Sequence, residues 1–222
     1  TTARLNNPSG VEVDSSGNIF IQDAGNHRVR KVDAVTGLIS TIGGTGTLGY
    51  NGDGILATTA RLYYPGYTGA VDPGGNVYFS DIYNHRVRRI DALSGIITTV
   101  AGTGVVGFNG DGIAATAARL NNPAGIAIDR DGNIYIGDNG NYRVRKVSAA
   151  NGLISTVAGT GAAGSAGDGG LATSAQLNSA SSVAVDGAGN IYIADVNNNK
   201  VRFVENSSGL IRTLVGTGTG GY

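Results

Sequence analysis

The sequence predicts an all-β fold built from four repeated units, and three observations support this prediction. First, the 222-residue chain repeats itself: the segment that begins at Leu5 restarts at Leu62, Leu120 and Leu177, and 27 of 42 residues are identical between the first and third copies. Second, each copy contains four short runs rich in Val and Ile, which favour strands. Third, the 38 glycines show no collagen period and 41% of residues are hydrophobic, so a folded core is expected.

Each unit is expected to form one four-stranded blade. The apolar runs of the first unit are Val11–Val13, Ile19–Ile21, Val29–Val32 and Leu38–Ile42, and they are separated by Asp-, Asn- and Gly-rich turns. The second run is apolar on both faces, which indicates a strand covered on both sides. Four such strands per unit, repeated along the chain, predict a β-propeller with blade units 5–61, 62–119, 120–176 and 177–222.

Short motifs in these units resemble NHL repeats. They are Pro8–Asp14, Gly17–Asp23 and Asn26–Asp33, which recur in part as Gly75–Asp81 and Asn84–Asp91. The connector pattern G-T-G-x-x-G-x-N-G-D-G is similar to that of NHL arrays in large bacterial surface proteins and teneurins. The resemblance implies a propeller, but NHL propellers serve as protein-binding, RNA-binding, sensor and, rarely, lyase domains. It therefore leaves the function open.

Four units depart from the six blades usual for NHL propellers, and three geometries follow. They are a closed four-bladed disc, an open arc, or half of an eight-bladed ring made by two chains; an open arc exposes two apolar blade faces and favours self-association. Thr1–Arg4 matches Thr58–Arg61, and Gly218–Tyr222 matches Gly46–Tyr50. With no Met in the chain, we expect four whole blades cut inside a connector, by processing, excision or deliberate construction. Each blade is expected to come from one continuous segment, with no strand left to complete a neighbour.

One face of the propeller is the predicted ligand face. The turn between the second and third strands of each blade lies there, as does the connector of about eighteen residues, and long connections are commonly functional. Aromatic residues are added there mainly in the second unit, and Tyr83 stands where we align Ala24, Asn139 and Val196 or Asn197 in the other turns. Such rings suit a protein, peptide or glycan, although they could instead pack between blades. The candidate ligand-binding residues are Tyr50, Tyr63, Tyr64, Tyr67, Tyr83 and Phe108.

The recurrent aspartates are predicted to be structural. Those of the connectors could suggest calcium, but each loop offers one carboxylate where the ion takes roughly six to eight oxygens, so we expect each to cap its own turn. Those of the blade turns are expected to accept turn amides, with the arginine at Arg28 and its copies bridging blades. The structural aspartates are Asp53, Asp111 and Asp168 in the connectors and Asp23, Asp81, Asp138 and Asp195 in the turns.

No catalytic residue, metal or cofactor is predicted. There is no Cys, and the histidines, His27 and His85, occupy matching turn positions. A metal-dependent lyase or hydrolase with an axial site is the alternative, and it would want about three converging imidazoles. The glutamates, Glu12 and Glu205, do not form an obvious catalytic pair.

Composition makes nucleic-acid and membrane partners poor candidates. Sixteen basic and sixteen acidic residues cancel, although a basic stripe in each third strand leaves an RNA-binding propeller as a further alternative. No apolar run reaches the ~18 residues of a membrane helix. Low charge with many Gly, Asn, Ser and Thr residues predicts an exported bacterial protein, extracellular or on the cell surface.

Overall fold

The computed structural model describes residues 2–221 as a four-bladed β-propeller, which confirms the predicted fold class. Thr1 and Tyr222, which took part in the matched chain ends, lie outside the described residues. The strands are β1 (Pro8–Val13), β2 (Ile19–Asp23), β3 (Arg28–Val32), β4 (Ile39–Gly43), β5 (Ile55–Leu56), β6 (Pro65–Val71), β7 (Val77–Asp81), β8 (Arg86–Ile90), β9 (Ile96–Ala101), β10 (Ile113–Ala114), β11 (Pro123–Ile128), β12 (Ile134–Asp138), β13 (Arg143–Val147), β14 (Leu153–Ala158), β15 (Ala180–Val185), β16 (Ile191–Asp195), β17 (Lys200–Val204) and β18 (Ile211–Val215).

Each blade is an antiparallel sheet whose four main strands follow chain order from the inside outwards. The inner strands β1, β6, β11 and β15 lie side by side around a common axis, each in contact with the next along the chain. This order arises because short turns join consecutive strands, while a longer connector returns the chain from the outer strand to the inner strand of the next blade.

The connectors do more than join blades, and here the expectation of self-contained blades was wrong. The short strand β5 leaves the first blade and pairs with β9, the outer strand of the second blade; β10 pairs with β14 in the same way. A single bridge between Leu171 and Leu210 repeats the arrangement on the fourth blade. Each connector therefore covers the outer edge of the blade that follows it, which satisfies backbone groups that an edge strand leaves unpaired.

Within residues 2–221, helical structure is confined to short 3-10 turns. In each blade one such turn joins the second and third strands, and the residue that ends it has a left-handed backbone; these residues are His27, His85, Tyr142 and Asn199, with φ from 50° to 54°. Among residues 2–221, no helix has the length and apolar character needed to cross a membrane.

Buried side chains form three clusters, and each lies between two consecutive blades. The first joins Phe20 and Val29 to Phe79 and Ile90 across the first and second blades. Equivalent clusters join the second blade to the third and the third to the fourth. Within residues 2–221 no such cluster joins the fourth blade to the first, so the outer face of each terminal blade is uncovered.

Candidate ligand-binding face

A buried carboxylate holds together the loops of the candidate face in every blade. Asp81, at the end of β7, accepts the backbone N–H of Tyr63 at 2.7 Å and the Nδ2 of Asn84 at 2.8 Å. Burial raises the pKa of Asp81 to about 6, and it does the same for Asp138 in the third blade. The loop that enters the first strand is thus fixed to the turn after the second. The same pair of bonds is made by Asp23, Asp138 and Asp195.

Three tyrosines and a histidine form an aromatic cluster across the first and second blades. The Tyr83 ring lies edge-on to that of Tyr63, with centroids 4.9 Å apart, and tilted against that of Tyr64 at 5.6 Å. His27 of the first blade meets Tyr63 edge-on at 5.8 Å. Tyr63 and Tyr64 are half-buried, whereas 48% of Tyr83 is exposed. We refer to Tyr63, Tyr64, Tyr83 and His27 as the tyrosine cluster.

The turn that carries Tyr83 differs from the other turns. The sequence alignment of these turns was shifted by one residue, so it did not show which residue Tyr83 replaces. Tyr83 is the middle residue of the 3-10 turn Ile82–Asn84. The middle residues of the corresponding turns are Gly25, Gly140 and Asn197, so our alignment with Ala24, Asn139 or Val196 was wrong. The tyrosine therefore replaces a glycine of the first and third blades.

In the first and third blades this glycine lies directly against an asparagine side chain. A β-carbon on Gly140 would lie 2.4 Å from Cγ of Asn121, and Gly25 is packed against the equivalent asparagine in the same way. In the second blade Tyr63 takes the place of that asparagine, and Tyr83 takes the place of the glycine. The fourth blade shows a third combination, in which Asn197 donates its Nδ2 to Oδ1 of Asn178 at 3.3 Å. The cluster is therefore a paired change confined to one blade.

Hydrogen bonds from the first blade fix the base of the tyrosine cluster. Asn7 donates its Nδ2 to the Tyr64 hydroxyl, and the backbone N–H of Tyr64 donates to Nδ1 of His27 at 3.2 Å. Burial raises the pKa of Tyr64, with smaller contributions from the neighbouring phenols of Tyr67 and Tyr83. Tyr67 follows Tyr64 by three residues and lies in the inner strand β6.

A bulge in the inner strand of the second blade exposes Tyr67. The pairing of β6 with β7 shifts between Gly66 and Ala70, and Tyr67 lies in this interval with 45% of its surface exposed. Glu12 of the first blade accepts the N–H of Gly69, which holds the bulge in place. Burial raises the pKa of Glu12, and the hydrogen bond from Gly69 opposes this. Of the six predicted ligand residues, the structure thus brings together Tyr63, Tyr64, Tyr67 and Tyr83.

Tyr50 and Phe108 have a different role, since both stack on arginines. The Tyr50 ring centroid lies 3.8 Å from the Arg86 guanidinium carbon, and Phe108 lies 3.9 Å from that of Arg143. Cation–π contacts of this kind attach each connector to the blade that follows it. Within residues 2–221 neither ring is in aromatic contact with the tyrosine cluster. Their role in ligand binding stays a prediction, and any such role is played apart from the tyrosine cluster.

The connector aspartates bind buried arginines, which the sequence analysis missed. Asp111 lies 2.8 Å from Nη2 of Arg145, a side chain with no exposure, and Asp53 and Asp168 bind Arg88 and Arg202 at 2.8 and 2.6 Å. We expected these aspartates to cap their own turns. This expectation was wrong, because they bind buried arginines instead. The sequence signal that could have indicated these ion pairs is the repeated R-V-R pattern, because residues two apart on a strand lie on the same face of the sheet.

The first arginine of that pattern does not bridge blades as expected. Arg28 donates to the carbonyl oxygen of Thr45 at 2.8 Å, at the start of the connector that leaves its own blade, and Arg86 does the same to Thr103. These residues anchor the departing connector, and Arg86 also contacts the arriving connector through Tyr50, whereas the buried arginines hold only the arriving one.

The two histidines act as links between blades. Nδ1 of His27 accepts the N–H of Tyr64, and Nδ1 of His85 accepts the N–H of Asn122, each at 3.2 Å. Burial lowers the pKa of both histidines, and the adjacent arginine lowers it further. Within residues 2–221 no group of three or more His, Cys, Asp or Glu residues is placed to hold a metal ion.

Comparison with known families agrees with the repeat architecture. The teneurin NHL domain matches residues 107–166 and 161–220, and the NHL repeat matches residues 5–32. The chain is 28% identical over 238 residues to teneurin-4 of Mus musculus, covering 96% of the chain and 8% of that protein. It is 30% identical over 154 residues to Protein SUPPRESSOR OF QUENCHING 1, chloroplastic, of Arabidopsis thaliana, covering 66% of the chain and 14% of that protein. The chain thus spans a small part of these relatives.

Solved structures share the fold at low identity. An auxiliary nutrient binding protein from Bacteroides ovatus superposes with a TM-score of 0.69 at 21% identity, covering 97% of this chain and 50% of that one. A gluconolactonase from Xanthomonas campestris superposes with a TM-score of 0.64 at 18% identity, covering 95% and 62%. At such identities the likeness concerns architecture alone. The repeat motifs, the blade topology and the family matches together show that the chain belongs to the NHL-repeat β-propeller family.

Proposed function

We propose that this propeller is a non-catalytic binding module whose ligand is a protein, peptide or glycan held at the tyrosine cluster and Tyr67. The observation that carries the proposal is the joint replacement of an Asn–Gly pair by Tyr63 and Tyr83 in one blade only, which leaves Tyr83 48% exposed over two other rings. The other three blades fill this place with smaller residues, Asn and Gly in the first and third blades and two asparagines in the fourth, so the fold itself does not require two tyrosines here.

The chemistry of the surface suits such ligands. Tyrosines offer flat apolar area with few rotatable bonds, and a hydroxyl that can hydrogen-bond to a peptide or sugar. The rings are held by contacts from both blades, so little freedom is lost when a ligand binds. The histidine Nδ1 atoms are already engaged in inter-blade bonds, which is why we prefer binding to metal-dependent catalysis.

We place the module outside the cell or on its surface. The support is its low content of charged residues, 14%, together with the likeness of its connectors to those of NHL arrays in surface proteins. This placement makes glycans and extracellular protein segments the ligand classes to test first.

The test uses a glycan microarray and a displayed random-peptide library, each probed with the wild-type chain and two variants. Tyr63→Asn/Tyr83→Gly restores the pair found in the first and third blades, so we expect it to fold normally and to lose binding. Tyr142→Ala removes a tyrosine from the same face one blade away, and we expect it to bind like the wild type. Equal binding by the double variant, or no ligand in either screen, would refute the proposal. Stoichiometric zinc or calcium in protein purified without added metal would favour the metal-dependent enzyme instead.

A further inference from the structure

The face of the first blade that points away from the second blade is apolar and uncovered. Val11 and Val13 of β1 are 62% and 61% exposed, whereas the residues equivalent to Val11 in the third and fourth blades, Ile126 and Val183, are 2% and 4% exposed. Leu5 is 39% exposed, and its equivalents Leu62, Leu120 and Leu177 are completely buried. In the later blades this face packs against the preceding blade. The first blade therefore carries a docking surface of the same kind with no neighbour on it.

The fourth blade has the complementary face. Val215 is 61% exposed and Leu214 41%, while Ala101 and Ala158, which occupy the position of Val215 in the second and third blades, are completely buried. Val157, the equivalent of Leu214, packs into the cluster between the third and fourth blades. In the earlier blades this face packs against the following blade. The fourth blade therefore has an exposed apolar face of the kind that packs against the following blade elsewhere in the chain.

We infer that a second copy of this chain docks its first blade on the fourth blade of the first copy. The contact would repeat the three inter-blade interfaces already present in the chain, in which consecutive inner strands meet in the same way. Two copies can make this head-to-tail contact twice and close a ring of eight blades, which is within the usual range of about four to eight blades. Three copies would exceed that range. This inference is independent of the ligand proposed for the tyrosine cluster.

The proposed junction differs from the internal interfaces at Val215 and in the connector, because Ala57, Ala115 and Ala172 are buried in the internal clusters and have no counterpart at the junction. A β-carbon at Gly43, the equivalent of Val215 in the first blade, would lie 2.8 Å from Cδ1 of Ile90, and where alanine occupies the position the opposing residue is the shorter Val147 or Val204. The first blade has Val32 at the opposing position. Val215 and Val32 together are slightly larger than the internal pairs. We therefore expect Val215→Ala to preserve docking or to strengthen it.

The experiment is the mass of the wild-type chain in solution, measured by light scattering on a sizing column and by sedimentation over a wide concentration range. We expect a stable species of twice the 22.3 kDa chain mass. Val11→Asp and Val215→Asp should each raise the dimer dissociation constant by about 100-fold or more, equivalent to about 2.8 kcal/mol, because either change places a charge in the repeated interface. Both sites are exposed within one chain, so the variants should fold, and an unchanged circular dichroism spectrum checks this.

Two controls separate docking from general stickiness. Val35→Asp changes a valine that is 94% exposed in a tight turn away from both faces, and it should leave the dimer intact. A mixture of Val11→Asp with Val215→Asp should recover a two-chain species, since one of the two head-to-tail junctions is then unmodified. A wild-type monomer at every concentration would overturn the inference, as would assembly beyond two chains, failure of the mixture to associate, or equal loss of the dimer in Val35→Asp.

Discussion

Replacing Arg145 by methionine tests whether the buried arginines hold the connectors to the blades. Arg145 has no exposed surface; its Nη2 binds Asp111 at 2.8 Å and the carbonyl oxygen of Gly110 at 2.9 Å, and its Nη1 lies 3.6 Å from the equally buried Asp138. Removing it leaves Asp138 buried with no cation, a loss that usually costs about 3–5 kcal/mol. We expect a decrease of that size in the free energy of unfolding at pH 7, measured by urea denaturation with two spectroscopic probes.

The matched control is Arg30→Met in the first blade. Arg30 also lies 3.6 Å from a buried aspartate, Asp23, but its side chain is 16% exposed and no connector aspartate binds it among residues 2–221. We expect this change to cost about 2 kcal/mol less than Arg145→Met, the value of charge-assisted hydrogen bonds. Burial raises the pKa of Asp138 to about 6, so the cost of Arg145→Met should also be smaller at pH 5, where this carboxyl is largely protonated. Equal costs for the two variants would refute our account of the connector.

Two further predictions concern the turns of the candidate face. Burial raises the pKa of Asp81 to about 6, so folding favours the protonated form of this carboxyl group. The resulting stabilisation of the folded state is present below about pH 4 and is lost as the pH rises through 6. The stability of the wild type relative to Asp81→Asn should therefore fall by about 2 kcal/mol between pH 4 and 7, and a flat difference would contradict the shift. Gly102→Ala should cost about 3 kcal/mol, since its φ is 96° and a β-carbon would lie 2.3 Å from the carbonyl oxygen of His85. Gly152→Ala, with φ of 70° and open space, should cost only about 1 kcal/mol by the same urea measurement, and similar costs would argue against the clash.

The tyrosine cluster shows how far sequence reasoning reaches at a site. The tyrosines were identified because they break the repeat, and their face followed from strand alternation. The pairing of Tyr63 with Tyr83 did not follow, because it depends on which turn residue lies over which loop. A shift of one residue in the alignment hid the replaced glycine. Only the three-dimensional register shows that Tyr83 lies against Tyr63 in the way that Gly140 lies against Asn121.

The sequence by itself determined the blades. Strand runs alternate with turn residues at a fixed spacing, and this pattern is local, so the four blades could be read from the chain. The tertiary structure alone decided where the connectors go. Strand β5 pairs with β9 some forty residues later, and Arg145 finds Asp111 thirty-four positions away in the sequence. Contacts of that range depend on how one blade packs against the next, and no periodicity within a blade encodes them. The same packing leaves Val11 and Val215 uncovered at the two ends, because each blade face is completed only by a neighbour.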